Sequence, residues 1–287
     1  MLNRGQTKDF KPYAEQVQLL LSRGLTISDP VYAEQILRQT NYYRLSAYSL
    51  SLRHNDKFKN GVSFENIYEL YIADAAFRRI IMHYCFCVEI AFRSYLAYYI
   101  GEHFGPLGYM DDTNFDNSNY HASFMKDLDE CIRRSDDVFI EHHKRNLNSV
   151  FPVWVIVEVM TFGTISKLFK NMHSGDRTAI SKTYIGYSRK YVENWLQCCA
   201  YCRNVAAHGG RFYNRFLRAN PVRISAKDYP GVNNMTAFAF IIAIYNLLPS
   251  RDYKTALVGE LDELFSKYSS VILSKYGFPI DWKSMMK

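Results

Sequence analysis

At 287 residues the chain is long enough for one large domain or two small ones. With 48% apolar and 22% charged residues it has the material for a sizeable core, which excludes a disordered chain. The net charge of +7 suits a polyanionic partner without requiring one, and 23 Tyr with 19 Phe suit interfaces and stacking on unpaired bases.

The opening, MLNRGQTKDFKPYAEQ, is charged and has no apolar stretch, so no signal peptide is expected. Residues 13–23 are amphipathic and close on Gly24, a natural C-cap. Ser28-Asp29-Pro30 opens a second helix, with a capping side chain ahead of proline at the first helical position. Residues 41–52 keep helical spacing, and residues 64–100 show one long helical pattern that Gly101 and Gly105-Pro106 end. Residues 105–119 are rich in turn formers and predict an exposed loop. Further helices are predicted over 120–146, 153–172, 187–208, 235–248 and about 252–276, with only 211–225 irregular or strand-like. The expected fold is an all-α helical bundle, with residues 1–60 as an N-terminal helical subdomain packed on a main domain of 61–287. No low-complexity linker marks the boundary, so the two can equally be one domain.

The longest apolar run, residues 235–249, is shorter than the ~20 residues a membrane span needs and contains Asn246. It predicts a buried core helix and no membrane association. Without an export signal, the six cysteines are expected as reduced thiols in a cytoplasmic protein.

Metal chemistry finds little support. Cys199 and Cys202 form a CxxC inside a strong helical pattern, Cys85 and Cys87 point apart, and His142-His143 are adjacent on a helix, about a hundred degrees from one another. Asp111-Asp112 and Asp136-Asp137 have the same difficulty or lie in a turn-rich loop. Nucleotide-cradle and nucleophile-elbow motifs are missing from the sequence. No metal and no cofactor is expected.

What remains is Arg203-Asn204-x-x-x-His208, followed by Gly209-Gly210. Asn204 and His208 are four apart and share a helix face, while the long side chain of Arg203 can swing toward the same cleft. The last turn of a helix presents carbonyls and favours a cation, which suits a protonated imidazole. Histidine and arginine together fit phosphodiester chemistry without metal: one moves a proton, the other neutralises charge on phosphoryl oxygens. RNA is the natural substrate, since its 2′-hydroxyl is a built-in nucleophile. One histidine supplies only half of an acid–base pair, so two copies facing one another are expected. A purely structural alternative has His208 bonding the last carbonyls and Arg203 pairing with a carboxylate such as Glu193 or Glu158.

Several segments, in order along nearly the whole chain, resemble the bacterial abortive-infection Abi-like proteins (the AbiD/AbiF group). They are NYYRLSAY at 41–48, FENIYELYIADAAFRRI at 64–80, Glu89-Ile-Ala-Phe-Arg93, FPVW at 151–154 with Val157-Glu158, Phe162-Gly163 with Ser166, and RNVAAHGGRFYN at 203–214. The family usually has a larger aliphatic or aromatic residue, and often a glycine, where this chain has Ala47. Abi-like proteins are grouped with the HEPN superfamily of helical bundles, many of them metal-independent ribonucleases with an Arg-polar-x-x-x-His motif in a dimeric cleft. The resemblance implies a phosphate-binding role for Arg203, a polar helper in Asn204 and a general acid/base in His208, with Arg211 and Asn214 supporting them. Glu89 and Arg93 either stabilise the long helix or orient a motif side chain. Tyr42, Tyr43 and Arg44 either pack the N-terminal helices or line an RNA surface.

The resemblance implies an antiphage endoribonuclease acting as a homodimer on RNA, restrained by a partner, with a structured regulatory noncoding RNA as one such restraint. The alternatives are an RNA-binding module that does not cut and a protein-interaction component of a defence locus.

Overall fold

The computed structural model describes residues 9–286, so the first eight residues of the expected N-terminal subdomain, and residue 287, lie outside the described residues. The fold is all-α: among the described residues the only strands are the two-residue β1 (Arg53–His54) and β2 (Lys57–Phe58), paired antiparallel. Helix α1 (Tyr13–Ser22) ends with Gly24 at φ 84°, and α2 (Pro30–Thr40) starts where the Asp29 carboxylate accepts the Tyr32 amide. Both termini follow from the capping residues read in the sequence. Residues 41–52, expected as one helix, form the single turn α3 (Tyr42–Ser46) and a 3₁₀ turn, and then the unforeseen hairpin. Asn55 and Asp56 both take positive φ there, as its tight turn requires.

Helix α4 (Phe64–Phe104) is the axis of the molecule. Its start is a capping box in which Ser63 and Asn66 satisfy one another's amides. It passes through Gly101 and stops at Gly105, whose φ of 78° breaks the helix. By length and composition α4, and not the shorter apolar run at 235–249, is long and apolar enough to cross a membrane, yet half of its most apolar window is buried inside the fold.

Two expected helices are each divided in two. The stretch 120–146 becomes α5 (Ser118–Arg134) and α6 (Val138–Asn146), because Ser135 and Asp137 adopt extended backbone and the Ser135 hydroxyl accepts the Asp137 amide. The stretch 153–172 becomes α7 (Val153–Val159) and α8 (Phe162–Asn171), broken at Met160-Thr161, where Thr161 caps α8 through the Thr164 amide. Helix α9 (Ser174–Ile180), with a π-helical turn to Ile185, was not foreseen. It is followed by α10 (Arg189–Ala207), α11 (Ala237–Leu247) and α12 (Arg251–Lys267).

Every residue of α11 is buried, against α10 and α4. Asn246 pays its way in that apolar helix by accepting the Tyr187 hydroxyl and donating to the Tyr229 hydroxyl and the Ile242 carbonyl. Helices α7, α8, α10, α11 and α12 surround α4, and one hydrophobic cluster runs from Val17 to Met286. The N-terminal helices therefore share the core of the main bundle.

Candidate functional site

Helix α10 lies antiparallel to α4: Cys85 meets Cys199 and Cys202, and nearer the start of α4, Phe77 meets Phe212. Its buried side is Val192, Trp195, Leu196, Cys198, Cys199, Cys202 and Ala206. That packing fixes what faces out. Arg203 is half-buried, and Asn204 and His208 are exposed.

The end of α10 is a Schellman closure. The Gly209 amide bonds the Ala206 carbonyl at 3.0 Å and the Gly210 amide bonds the Val205 carbonyl at 2.7 Å, with Gly209 at φ 66°. Gly209 supplies the left-handed conformation. Gly210 is needed for space, because a Cβ there would lie 2.7 Å from Val205 Cγ1 and 2.9 Å from the Val205 carbonyl oxygen. The last carbonyls are thus satisfied by backbone and not by His208, whose ring has no hydrogen bond among the described residues. Arg203 donates only to Asn204 Oδ1, at 3.3 Å, and is in no ion pair among the described residues. The carboxylates that could have claimed it are engaged elsewhere: Glu193 by Arg177 and Arg189, Glu158 by Arg93.

Three further arginines border this corner. Arg44 reaches across from α3 to donate to the Gly209 carbonyl at 2.8 Å. Arg211 donates to the Tyr213 and Asn214 carbonyls and lies over the Tyr48 ring. Arg215 donates to the Arg211 carbonyl at 3.3 Å. None of the three pairs with a carboxylate among the described residues. Asn214 takes φ 51°, a conformation asparagine tolerates better than most residues, and its amide bonds the Lys275 carbonyl. Arg211 and Asn214 thus shape the loop behind the motif. Tyr43 is 64% exposed beside Arg44, edge-on to the half-buried Tyr42, which accepts from Arg23.

The corner is anchored by a residue the sequence reading passed over. Asp74, on α4 and fully buried, accepts the Tyr48 hydroxyl at 2.7 Å, the Tyr276 hydroxyl at 3.0 Å, the Arg78 guanidinium at 2.8 Å and the Tyr213 amide at 3.0 Å, with the Phe212 amide at 3.2 Å. One carboxylate therefore joins NYYRLSAY, the long helix, the segment after the motif and the C-terminal region. Burial first, and the Asp74 charge second, push the Tyr48 and Tyr276 hydroxyls well above the ordinary tyrosine range, which keeps both as donors. An aspartate at an apolar position of a helical pattern, four before an arginine, was the available signal.

The buried Glu89 and the half-buried Arg93 pair at 2.7 Å, and Arg93 also donates to the Glu158 and Met160 carbonyls. They hold the break between α7 and α8 and make no hydrogen bond to Arg203, Asn204 or His208. Cys85 and Cys202 approach to 3.7 Å, and burial raises both thiols well above their usual range.

The profile of the Abi-like protein family matches residues 35–214, more than half of the chain. The chain belongs to the Abi-like protein family. The matched span holds Arg44, Asp74, the Arg203–His208 stretch, Arg211 and Asn214, while Arg215 and Tyr276 lie beyond it. Family membership points to abortive-infection defence. Neither among curated proteins nor among solved structures was a match to this Abi-like chain found.

Proposed function

We propose that this Abi-like protein is a metal-independent endoribonuclease of HEPN type, acting in bacterial cytoplasm as a homodimer that cuts RNA once infection is sensed. The observation that carries the reading is the unclaimed state of Arg203 and His208. Both stand at a corner bordered by arginines that are in no ion pair among the described residues, and the acids nearest in sequence pattern are committed elsewhere. A structural pair would consume these side chains, whereas a phosphate-handling pair leaves them for substrate.

In this reaction a neutral His208 takes the proton of the ribose 2′-hydroxyl as that oxygen attacks phosphorus. The partner copy's protonated imidazole gives a proton to the leaving 5′-oxygen. The products are a 2′,3′-cyclic phosphate and a free 5′-hydroxyl, and Arg203 neutralises the charge that grows on the phosphoryl oxygens. Asn204 orients Arg203. For the contact between copies, the exposed stripe of α4 is the favoured surface. Phe86 and Ile90 are about half exposed, one turn apart, and Phe86 follows Cys85, which touches the Cys202 that precedes Arg203. A noncoding RNA is a restraint that suits the basic corner.

The test is purified protein with labelled RNA in EDTA. Cleavage to a cyclic-phosphate end is expected, with Arg203→Ala and His208→Ala each lowering the rate by at least about 10²-fold. Cutting that survives His208→Ala, or that requires added magnesium, overturns the mechanism. Tight RNA binding without any cutting would favour the non-cleaving alternative.

A further inference from the structure

The glycines that end α10 do more than turn the chain. A Cβ built on Gly209 would lie 2.9 Å from Arg44 Nη1, and one built on Gly210 would lie 3.3 Å from Arg215 Nη1. The backbone corner is bare enough for one guanidinium to press against each glycine. Adjacent Cα atoms are ~3.8 Å apart, so these contacts place the two Nη1 atoms within about 13 Å of one another. Each guanidinium gives only Nη1 to a backbone carbonyl, of Gly209 or of Arg211. The remaining N–H groups of these exposed side chains have no carboxylate among the described residues. Two exposed cations at one corner, with no carboxylate paired to either among the described residues and an exposed histidine beside them, form a positive surface that suits an anion with spaced charges.

The geometry points to a second binding element next to the proposed catalytic pair: Arg44 and Arg215 grip two backbone phosphates of single-stranded RNA, one on each side of the Gly209-Gly210 corner. This inference rests on the RNA reading above and extends it to the flanking nucleotides. The element joins two segments distant in sequence. Arg44 comes from the N-terminal helices and Arg215 from the loop after the motif, just outside the span that matches the family. Its register is set from within. The amides of Phe212 and Tyr213 are held on Asp74, which also holds Tyr48, four residues after Arg44. The arginines' forked donors suit phosphate oxygens. Exposed Tyr43, next to Arg44, offers a face on which an unpaired base stacks.

The experiment uses full-length protein carrying His208→Ala, so that RNA stays intact. Binding of a fluorescein-labelled single-stranded RNA is followed by anisotropy from about 50 to 200 mM salt. For single strands each phosphate contact contributes about 0.7 to the slope of log K against log salt. Added Arg44→Gln or Arg215→Gln should each lower that slope by about 0.7, and both together by about 1.4. Arg218→Gln, an exposed arginine on the same loop, should leave it unchanged. Arg44→Gln removes the bond to the Gly209 carbonyl and can weaken the fold, so Arg215→Gln is the decisive variant and its urea midpoint is measured alongside. RNA binding with an unaltered slope in Arg215→Gln overturns the phosphate element and leaves the RNA reading standing. Failure of the His208→Ala protein to bind RNA overturns both. Binding of polyglutamate that depends on Arg215, without RNA binding, would mean that the surface takes an acidic protein, and the proposal would fall.

Discussion

Replacing Asp74 should be among the most damaging single changes in the protein. Asp74→Ala strands the buried Arg78 guanidinium, two tyrosine hydroxyls and two amides at once. Breaking one buried ion pair by removing a partner costs about 3–5 kcal/mol. The other orphaned donors add to that, although partial relaxation and water entry keep the sum from being additive. Against a total stability of about 5–15 kcal/mol, this variant sits near the limit of folding. Tyr276→Phe is the milder probe. It deletes one hydroxyl donated to a buried carboxylate, worth about 1.5–3 kcal/mol, and leaves the other donors in place. Urea unfolding followed by circular dichroism gives the midpoint shift. Hydrogen exchange at the Phe212 and Tyr213 amides reads the corner itself, and should accelerate about tenfold for each 1.4 kcal/mol lost there. A loss in Tyr276→Phe below about 0.5 kcal/mol, the scale of an ordinary surface change, with unchanged exchange at those amides, would refute the hub argument.

Gly210→Ala should cost about 1–3 kcal/mol through overpacking, because the added methyl meets the Val205 carbonyl, and thermal melting reads the loss. In native protein a thiol reagent should label the partly exposed Cys87 and Cys131 first, leaving Cys85, Cys198, Cys199 and Cys202 until denaturant is added; burial holds Cys199 up to about 11. His173 lies with Nδ1 2.9 Å from Asp116 Oδ1 and Nε2 2.9 Å from the Thr113 carbonyl, so both nitrogens donate, and the Asp116 hydrogen bond, followed by that to Thr113, raises its pKa above 6.5. Its contribution is complete below its unfolded pKa and is lost as pH rises through the folded one. The stability gap between wild type and His173→Gln should therefore narrow as pH rises from the ordinary histidine range to above it, and a constant gap refutes the assignment. Phe86→Glu should abolish any dimer seen by analytical ultracentrifugation if the α4 stripe joins two copies, and leave the assembly state unchanged if it does not.

Most of the helical order was legible, because α2, α4 and α10 announce themselves through caps and apolar spacing. The breaks were not. The interruption at Met160-Thr161 is stabilised by Arg93, which captures the Glu158 and Met160 carbonyls from a helix far back in the sequence. Local pattern holds no trace of such a partner. The hairpin at 53–58 escaped notice because its strands are two residues long and mostly polar. At the site, the face shared by Asn204 and His208 and the glycine stop were readable from spacing. The bond from Arg44 to the Gly209 carbonyl was not, since the two residues are 165 apart. Asp74 was hidden for a related reason: a buried carboxylate looks misplaced until the donors of four separate segments are seen around it.

The dependence of Asp74 on Tyr276 has a consequence for the order of synthesis. A ribosome makes the Arg203–His208 stretch well before it makes Tyr276, so the corner stays incomplete while the chain is still being translated. On the proposed function, the chain would then emerge from its own messenger unarmed, and would acquire its finished site only once Tyr276 reaches Asp74 on α4.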